Sequence, residues 1–263
     1  MQVFCTFLRS RTLTGGCTPA KDLFCLFSLG WHDGGMTLRL SLFCLCLVSP
    51  PLAGAPPAES LMKLLLEAQT LKNQGRYTDA LAKLDEVEAL SPDSPHVPNL
   101  RGAIYLAPPL RDLEKAVALF EEAAARSPAD LSPRFHRAEV EFVRHDWAAA
   151  HARLRQLLSD FPKTPLPIRH MILFKCLVCE VKLDRMAEAE KTLRESFTFM
   201  DDTPAYYYAQ AAIAFARKDE VKAKDWLARA GGIFKPAERS PYEDSLMEAR
   251  WLPSLALPPE VEK

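Results

Sequence analysis

The chain lacks most of the short patterns that announce chemistry. No GxSxG, no phosphate-binding loop, no GxGxxG and no HExxH occurs in its 263 residues. That leaves no motif for a serine hydrolase, a nucleotide loop, a dinucleotide fold or a zinc protease. Charge of one sign is also missing: 33 Lys and Arg stand against 34 Asp and Glu, a formal net charge of −1. A nucleic-acid surface needs a basic face, so no nucleic-acid partner is expected. No apolar run reaches the ~20 residues that a membrane-spanning helix requires. Cysteine is scarce beyond residue 55, because Cys5, Cys17, Cys25, Cys44 and Cys46 precede it and Cys176 and Cys179 alone remain. There is no β-α-β alternation, which argues against a parallel-sheet enzyme.

What is present is a period. A small residue recurs at Ala80, Ala116, Ala150, Ala189 and Ala223, in steps of 36, 34, 39 and 34 residues. A large apolar residue stands four places after each, at Leu84, Phe120, Leu154, Leu193 and Leu227. Self-similarity near 34 residues is the mark of a helical solenoid. In the first unit, residues 61–94, Leu64, Leu65, Ala68 and Leu71 form one stripe at helical spacing, and Tyr77, Ala80, Leu81, Leu84 and Val87 form another. Gln74-Gly75-Arg76 separates them, and Pro92 closes the unit. Two antiparallel helices approach closely only where one side chain is small.

Ala68, Gly75, Tyr77, Ala80, Leu84 and Pro92 together resemble the tetratricopeptide repeat (TPR). In residues 131–164, Ala138, Trp147, Ala150, Leu154, Leu157 and Pro162 repeat the pattern. Unit two carries Gly102, Tyr105, Ala116, Phe120, Ala123 and Pro128, with a turn over Ala107-Pro108-Pro109-Leu110-Arg111 about two residues longer than usual. Unit four has Leu177, Met186, Ala189 and Leu193, lacks the turn glycine and starts its first helix near Pro165. Unit five has Ala211, Ala223, Leu227 and Ala230. The resemblance covers residues 59–234 in units 61–94, 95–130, 131–164, 165–203 and 204–234. It implies an all-α, right-handed α-solenoid of about five helix pairs, with residues 240–252 as a C-terminal capping helix over the last repeat and 253–263 as an extended tail. Ser94-Pro95, Ser132-Pro133, Thr164-Pro165, Thr203-Pro204 and Ser240-Pro241 precede periodic stretches and are expected to cap helix starts through their hydroxyls.

The N-terminus is different. Residues 36–55 hold one Arg, an apolar run from Leu40 to Val48, prolines, and Ala53-Gly54-Ala55, the plan of a secretory signal peptide cleaved after Ala55. Membrane contact is expected through that segment alone, and localisation as secreted or periplasmic. Residues 1–35 fit no part of the scheme and are expected to be a mis-called or extra extension, with Met36 as the true start. Four of the basic and two of the acidic residues lie before Pro56, so the mature chain carries a net −3.

Cys176 and Cys179 form a C-x-x-C. Redox pairs of this kind sit at a helix N-terminus, where the dipole lowers the thiol pKa; these fall inside a helix, so two small core residues is the favoured reading. A thiol-redox enzyme is the alternative from another class. No second Cys/His pair follows, and no cofactor or metal set is found.

The resemblance also implies where a ligand would sit. Stacked TPR units present an inner wall made mainly by the first helix of each pair. The positions that would face it are Leu65 and Gln69, Asn99 and Ala103, Phe135, Glu139 and Phe142, Phe174 and Val178, and Tyr208, Ala212 and Phe215. The peptide-binding set is expected to be Phe135, Glu139, Phe142, Phe174, Val178, Tyr208 and Phe215. Rings at helical spacing also serve as core, so both roles are open for each. The expected function is a non-catalytic protein- or peptide-binding scaffold. A structural subunit whose groove is filled by its own tail or a second copy is the other alternative.

Overall fold

The structure is a computed structural model, and it describes residues 58–253. The expected signal segment, the first 35 residues and the tail from residue 254 lie outside the described residues. Among the described residues eleven helices follow one another, with no strand: α1 (Ala58–Asn73), α2 (Tyr77–Leu90), α3 (His96–Leu106), α4 (Leu113–Arg126), α5 (Leu131–Val143), α6 (Trp147–Asp160), α7 (Leu166–Lys182), α8 (Met186–Ser196), α9 (Ala205–Ala216), α10 (Glu220–Ile233) and α11 (Pro236–Glu248). They form five antiparallel pairs, each odd helix against the even one that follows it, and the pairs stack in chain order. This is the expected all-α helical solenoid. None of these helices is long and apolar enough to cross a membrane.

Ala80, Ala116, Ala150, Ala189 and Ala223 are all fully buried, as the period demands. Leu84, Phe120 and Leu154 are fully buried beside them, while Leu193 and Leu227 are half-buried. The long second turn lies between Leu106 and Leu113, and α7 does begin after Pro165.

A regularity that glycine content concealed appears at the turns within pairs. Gly75, Arg111, His145, Asp184 and Lys218 have left-handed φ values of 75°, 43°, 62°, 58° and 61°. Each lies five residues before its buried alanine. In four of these turns the next amide bonds the carbonyl five residues back: Arg76 to Leu71, Asp146 to Glu141, Arg185 to Glu180 and Asp219 to Ala214, at 2.8–3.0 Å. This is the Schellman closure of a helix, which imposes a left-handed residue whether or not it is glycine.

Two boundary expectations are corrected. Four of the Ser/Thr-Pro pairs do mark joints between units and Ser240-Pro241 does not, and their hydroxyls do not cap. Side chains of Asp112, Asp130, Asp146 and Asp219 accept the cap bonds of α4, α5, α6 and α10. The hydroxyls bond elsewhere instead: Ser132 Oγ accepts from Asn99 Nδ2 of the preceding unit (2.9 Å), Thr203 Oγ1 pairs with His170 Nδ1 in its own unit (2.7 Å), and Thr164 Oγ1 donates to the Phe161 carbonyl (2.6 Å). The second correction concerns α11, which starts at Pro236 rather than near Ser240. Pro tolerates the first helical position, and Glu238 Oε2 accepts the Lys235 amide at 2.8 Å. Pro241 then lies inside the helix, where it has no N–H to offer.

Candidate functional site

α11 does not merely cover the last repeat. It packs against α7 and α9, the first helices of units four and five, as well as against α10. The two residues before it, Phe234 and Lys235, are extended, so the chain is turned back onto the wall made by the odd-numbered helices. α11 presents Tyr242, Ser245, Leu246 and Ala249 to that wall, and all four are buried. Their i, i+3, i+4, i+7 spacing is one helical stripe.

The residues expected to line a peptide groove are brought together on this wall. Phe174, Val178 and Tyr208 are fully buried, Phe142 and Phe135 nearly so, and Glu139 and Phe215 are half-buried. Tyr242 of α11 fits between two of the rings, with centroids 5.2 Å from Phe174 and 5.3 Å from Tyr208. Phe215 stacks on Trp251, just past α11, at 6.1 Å and 9°. Phe142 meets Trp147 edge-on at 5.0 Å, so it serves the packing of its own pair. Phe135 lies farther along α5, in the same core cluster, with its ring 6.0 Å from that of His136. Of the earlier wall positions, Asn99 Oδ1 bonds His136 Nδ1 at 2.9 Å.

Polar groups frame the rings. Lys175 Nζ donates to Ser245 Oγ at 3.0 Å, lies 3.3 Å from Glu139 and sits 4.5 Å above the Phe142 ring. Tyr208 Oη donates to Glu243 Oε1 at 2.7 Å, and Arg239 Nη1 donates to the same carboxylate oxygen. At the far end of α11, Arg111 pairs with Glu248, His145 Nε2 lies 2.9 Å from the Glu248 carbonyl, and Lys182 Nζ donates to the Ala249 carbonyl at 2.6 Å. A cation at the C-terminal end of a helix meets the negative end of its dipole. Burial pushes the Tyr208 and Tyr242 hydroxyls up, so both stay protonated at neutral pH. On α1, burial lowers the Lys72 ammonium to about 8, opposed by Glu139 and Asp244.

Lys175, Lys182, Arg111, Tyr242, Ser245, Glu248 and Trp251 were not among the expected site residues. The sequence points to a capping helix here, but nothing local names the wall it faces. A separate cavity of about 310 Å³ opens between α4, α5 and α6. Its Arg134 and Arg153 lie 3.5 and 3.7 Å from Asp160 and Glu141, so its cations are already balanced.

Cys176 and Cys179 lie in the middle of α7, buried and not disulfide-bonded. Burial pushes the Cys179 thiol up to about 12, and the Cys176 thiol up as well, the reverse of what a nucleophilic thiolate needs. Among the described residues no group of His, Cys, Asp and Glu could hold a metal ion.

No family model matches the chain, and no curated protein does. Solved structures do. A tetratricopeptide repeat protein from Parabacteroides merdae aligns with TM-score 0.56 at 16% identity, over 72% of this chain and 71% of that one. PilF of Pseudomonas aeruginosa aligns at 0.53 and 12% identity, over 75% and 94%. TPR-like repeats from Podosopora anserina, described as those of a kinesin light chain, align at 0.51 and 17% identity, over 66% and 94%. The arrangement of paired helices described above is the fold these structures share.

Proposed function

We propose that this chain, folded as a tetratricopeptide-repeat solenoid, is a non-catalytic scaffold that binds another protein or peptide on its odd-helix wall after export to the cell envelope. The observation that carries the reading is that this wall already receives an amphipathic helix: Tyr242 lies between Phe174 and Tyr208, and Leu246 is fully buried. A surface that holds one helix by an apolar stripe with polar bonds at its edges has the chemistry to hold another. Phe135, Glu139, Phe142, Phe174, Val178, Tyr208 and Phe215 are the residues assigned to it. Export rests on the signal-like segment of residues 36–55. The buried, protonated state of both thiols supports the non-catalytic assignment.

The test is a photo-crosslinking residue placed at Glu139, at Phe215 and, as a control, at exposed Lys224 in the producing cell. Adducts to a distinct protein from the first two positions and not the third are the expected result, with a mature chain beginning at Pro56. Identical adducts from Lys224, or a purified chain that retains residues 36–55, would contradict the assignment.

α11 itself favours a second reading, in which the protein is a structural subunit whose wall is permanently filled by its own chain. In that case Glu139 and Phe215 crosslink to residues of the same molecule and to no other protein.

A further inference from the structure

The first half of α11 is held by little: Pro236, Ala237, Glu238 and Ser240 are exposed, and the buried Tyr242, Ser245, Leu246 and Ala249 all lie in or just past its second half. Pro241 removes one of its internal hydrogen bonds. A helix whose first turns are exposed and whose ladder is interrupted can open from that end.

Its far end is held by charge. Arg111, from the turn between α3 and α4, pairs with Glu248, and Lys182, at the end of α7, donates to the Ala249 carbonyl while lying 4.2 Å over the Trp251 ring. Lys175 reaches Ser245. Three cations of the solenoid thus face the second half of one short helix, where Arg111 meets Glu248 and Lys175 lies in the field of Asp244, while Glu243 is paired within the helix to Arg239. The charges are complementary, and such complementarity selects an acidic occupant over a basic one.

The geometry points to α11 as a resident stand-in for a partner's helix: the wall's functional occupant is an acidic amphipathic helix of another protein, and α11 must leave for it to bind. That helix carries an aromatic residue, a small polar one, an aliphatic one and a small one at the spacing of Tyr242, Ser245, Leu246 and Ala249. A carboxylate stands where Glu248 does. This rests on the scaffold reading above and adds the chemistry of the ligand and the displacement step.

The probe is a labelled synthetic peptide spanning residues 235–252, titrated against the full chain and against the full chain bearing Tyr242→Ala and Leu246→Ala. The weakened chain is expected to bind it at least tenfold more tightly than the native one. A Glu248→Lys peptide should bind about tenfold more weakly, and adding Arg111→Glu to the chain should restore it. Native-state hydrogen exchange of the unaltered chain gives an independent reading: α11 amides should exchange at least tenfold faster than those of α7 and α9. Equal peptide affinity for the two chains, or α11 amides as protected as those of α7, overturns the inference. A concentration-dependent dimer formed through α11 makes a second copy the occupant and overturns it too. Crosslinks from Glu139 to a partner while α11 stays protected would sink displacement and leave the scaffold reading standing. Release of α11 with no crosslinked partner would do the opposite.

Discussion

The ring of Phe120 on α4 lies so close to Gly102 on α3 that a β-carbon added to the glycine would sit 2.6 Å from Phe120 Cε1. In most units this crossing is made with alanine on both helices, as with Ala68 and Ala80 or Ala138 and Ala150, all fully buried. Unit two places a ring at the large position and gives up the facing methyl. The side chain volumes of the two helices are therefore linked.

Gly102→Ala separates two opposing effects. Replacing glycine inside a helix gains about 1 kcal/mol in propensity, while overpacking a filled core costs about 1–3 kcal/mol. Phe120 is fully buried and its ring has nowhere to swing. The expected result is a net loss of about 1 kcal/mol in urea denaturation. Combining it with Phe120→Leu should give a loss smaller than the sum of the two single changes. A variant more stable than the native chain would show that the contact is not limiting.

The turns allow a graded test. Lys218 and Asp184 both adopt left-handed backbone, with φ of 61° and 58°. A residue with a β-carbon is strained there by roughly 1–2 kcal/mol, and Asp tolerates the region better than Lys because its short polar side chain bonds locally. Lys218→Gly should therefore stabilise the protein by about 0.5–1 kcal/mol, and Asp184→Gly by less. Thermal midpoints of the two variants measure the order directly. A reversed order would mean that the strain lies elsewhere.

These residues also show what a sequence exposes. The buried alanines were legible because a close helix crossing admits only a small side chain, so the requirement repeats at each crossing. The left-handed turn positions were not, because the Schellman closure imposes its φ on His145, Asp184 and Lys218 without asking for glycine. The Ser/Thr-Pro joints were legible as joints, yet Ser132 and Thr203 spend their hydroxyls on Asn99 and His170 more than thirty residues away. Of the expected wall residues, Phe135, Phe142, Phe174, Val178 and Tyr208 share one buried cluster, while Leu65 and Ala103 belong to two others. The occupant of the wall stayed hidden, because the contact of Lys175 with Ser245 spans seventy residues and no local pattern encodes such an address.

Stability should fall on mild acidification through two histidines. His136 and His170 are buried, and burial holds both pKa values below the ordinary 6.5. Glu139, Asp130, Lys72 and Lys175 surround the first; Asp201 and Arg169 surround the second. With the folded pKa depressed, the unfolded chain binds more protons below pH 6.5, so the stability present above that pH is lost as pH falls. Urea midpoints at pH 7.5 and 5.5 should differ less in His170→Asn than in the native chain. An unchanged difference would remove His170 from the account.

Thiol chemistry should be governed by unfolding rather than by the native surface. Cys176 and Cys179 are fully buried and their thiols are shifted upward by burial. Under iodoacetamide at pH 8, peptides covering residues 166–182 should stay unmodified in the folded protein and react fully in urea. Mass spectrometry distinguishes these cysteines from those before residue 55. Alkylation at the unfolded rate without denaturant would revive the redox reading.

Glu180 offers the sharpest energetic contrast. It is fully buried in α7, where its Oε1 meets Arg155 Nη2 at 2.5 Å and His151 Nε2 at 3.0 Å, while Oε2 has no hydrogen-bond partner among the described residues. Arg155 also donates to Thr192 Oγ1 at 3.0 Å, so one guanidinium ties α6 to both α7 and α8. Removing one member of such a pair leaves a charge buried without its partner, which costs more than the pair contributes. Arg155 is two-fifths exposed, so the loss for Arg155→Ala should be about 2 kcal/mol rather than the 3–5 of a fully buried pair. Adding Glu180→Leu removes the stranded carboxylate and fills its space with apolar volume, so the double variant should recover most of that loss. Urea denaturation of the two single variants and the double one closes the cycle. If the double variant is as unstable as Arg155→Ala alone, the bond to Thr192 rather than the carboxylate holds the fourth unit to the third.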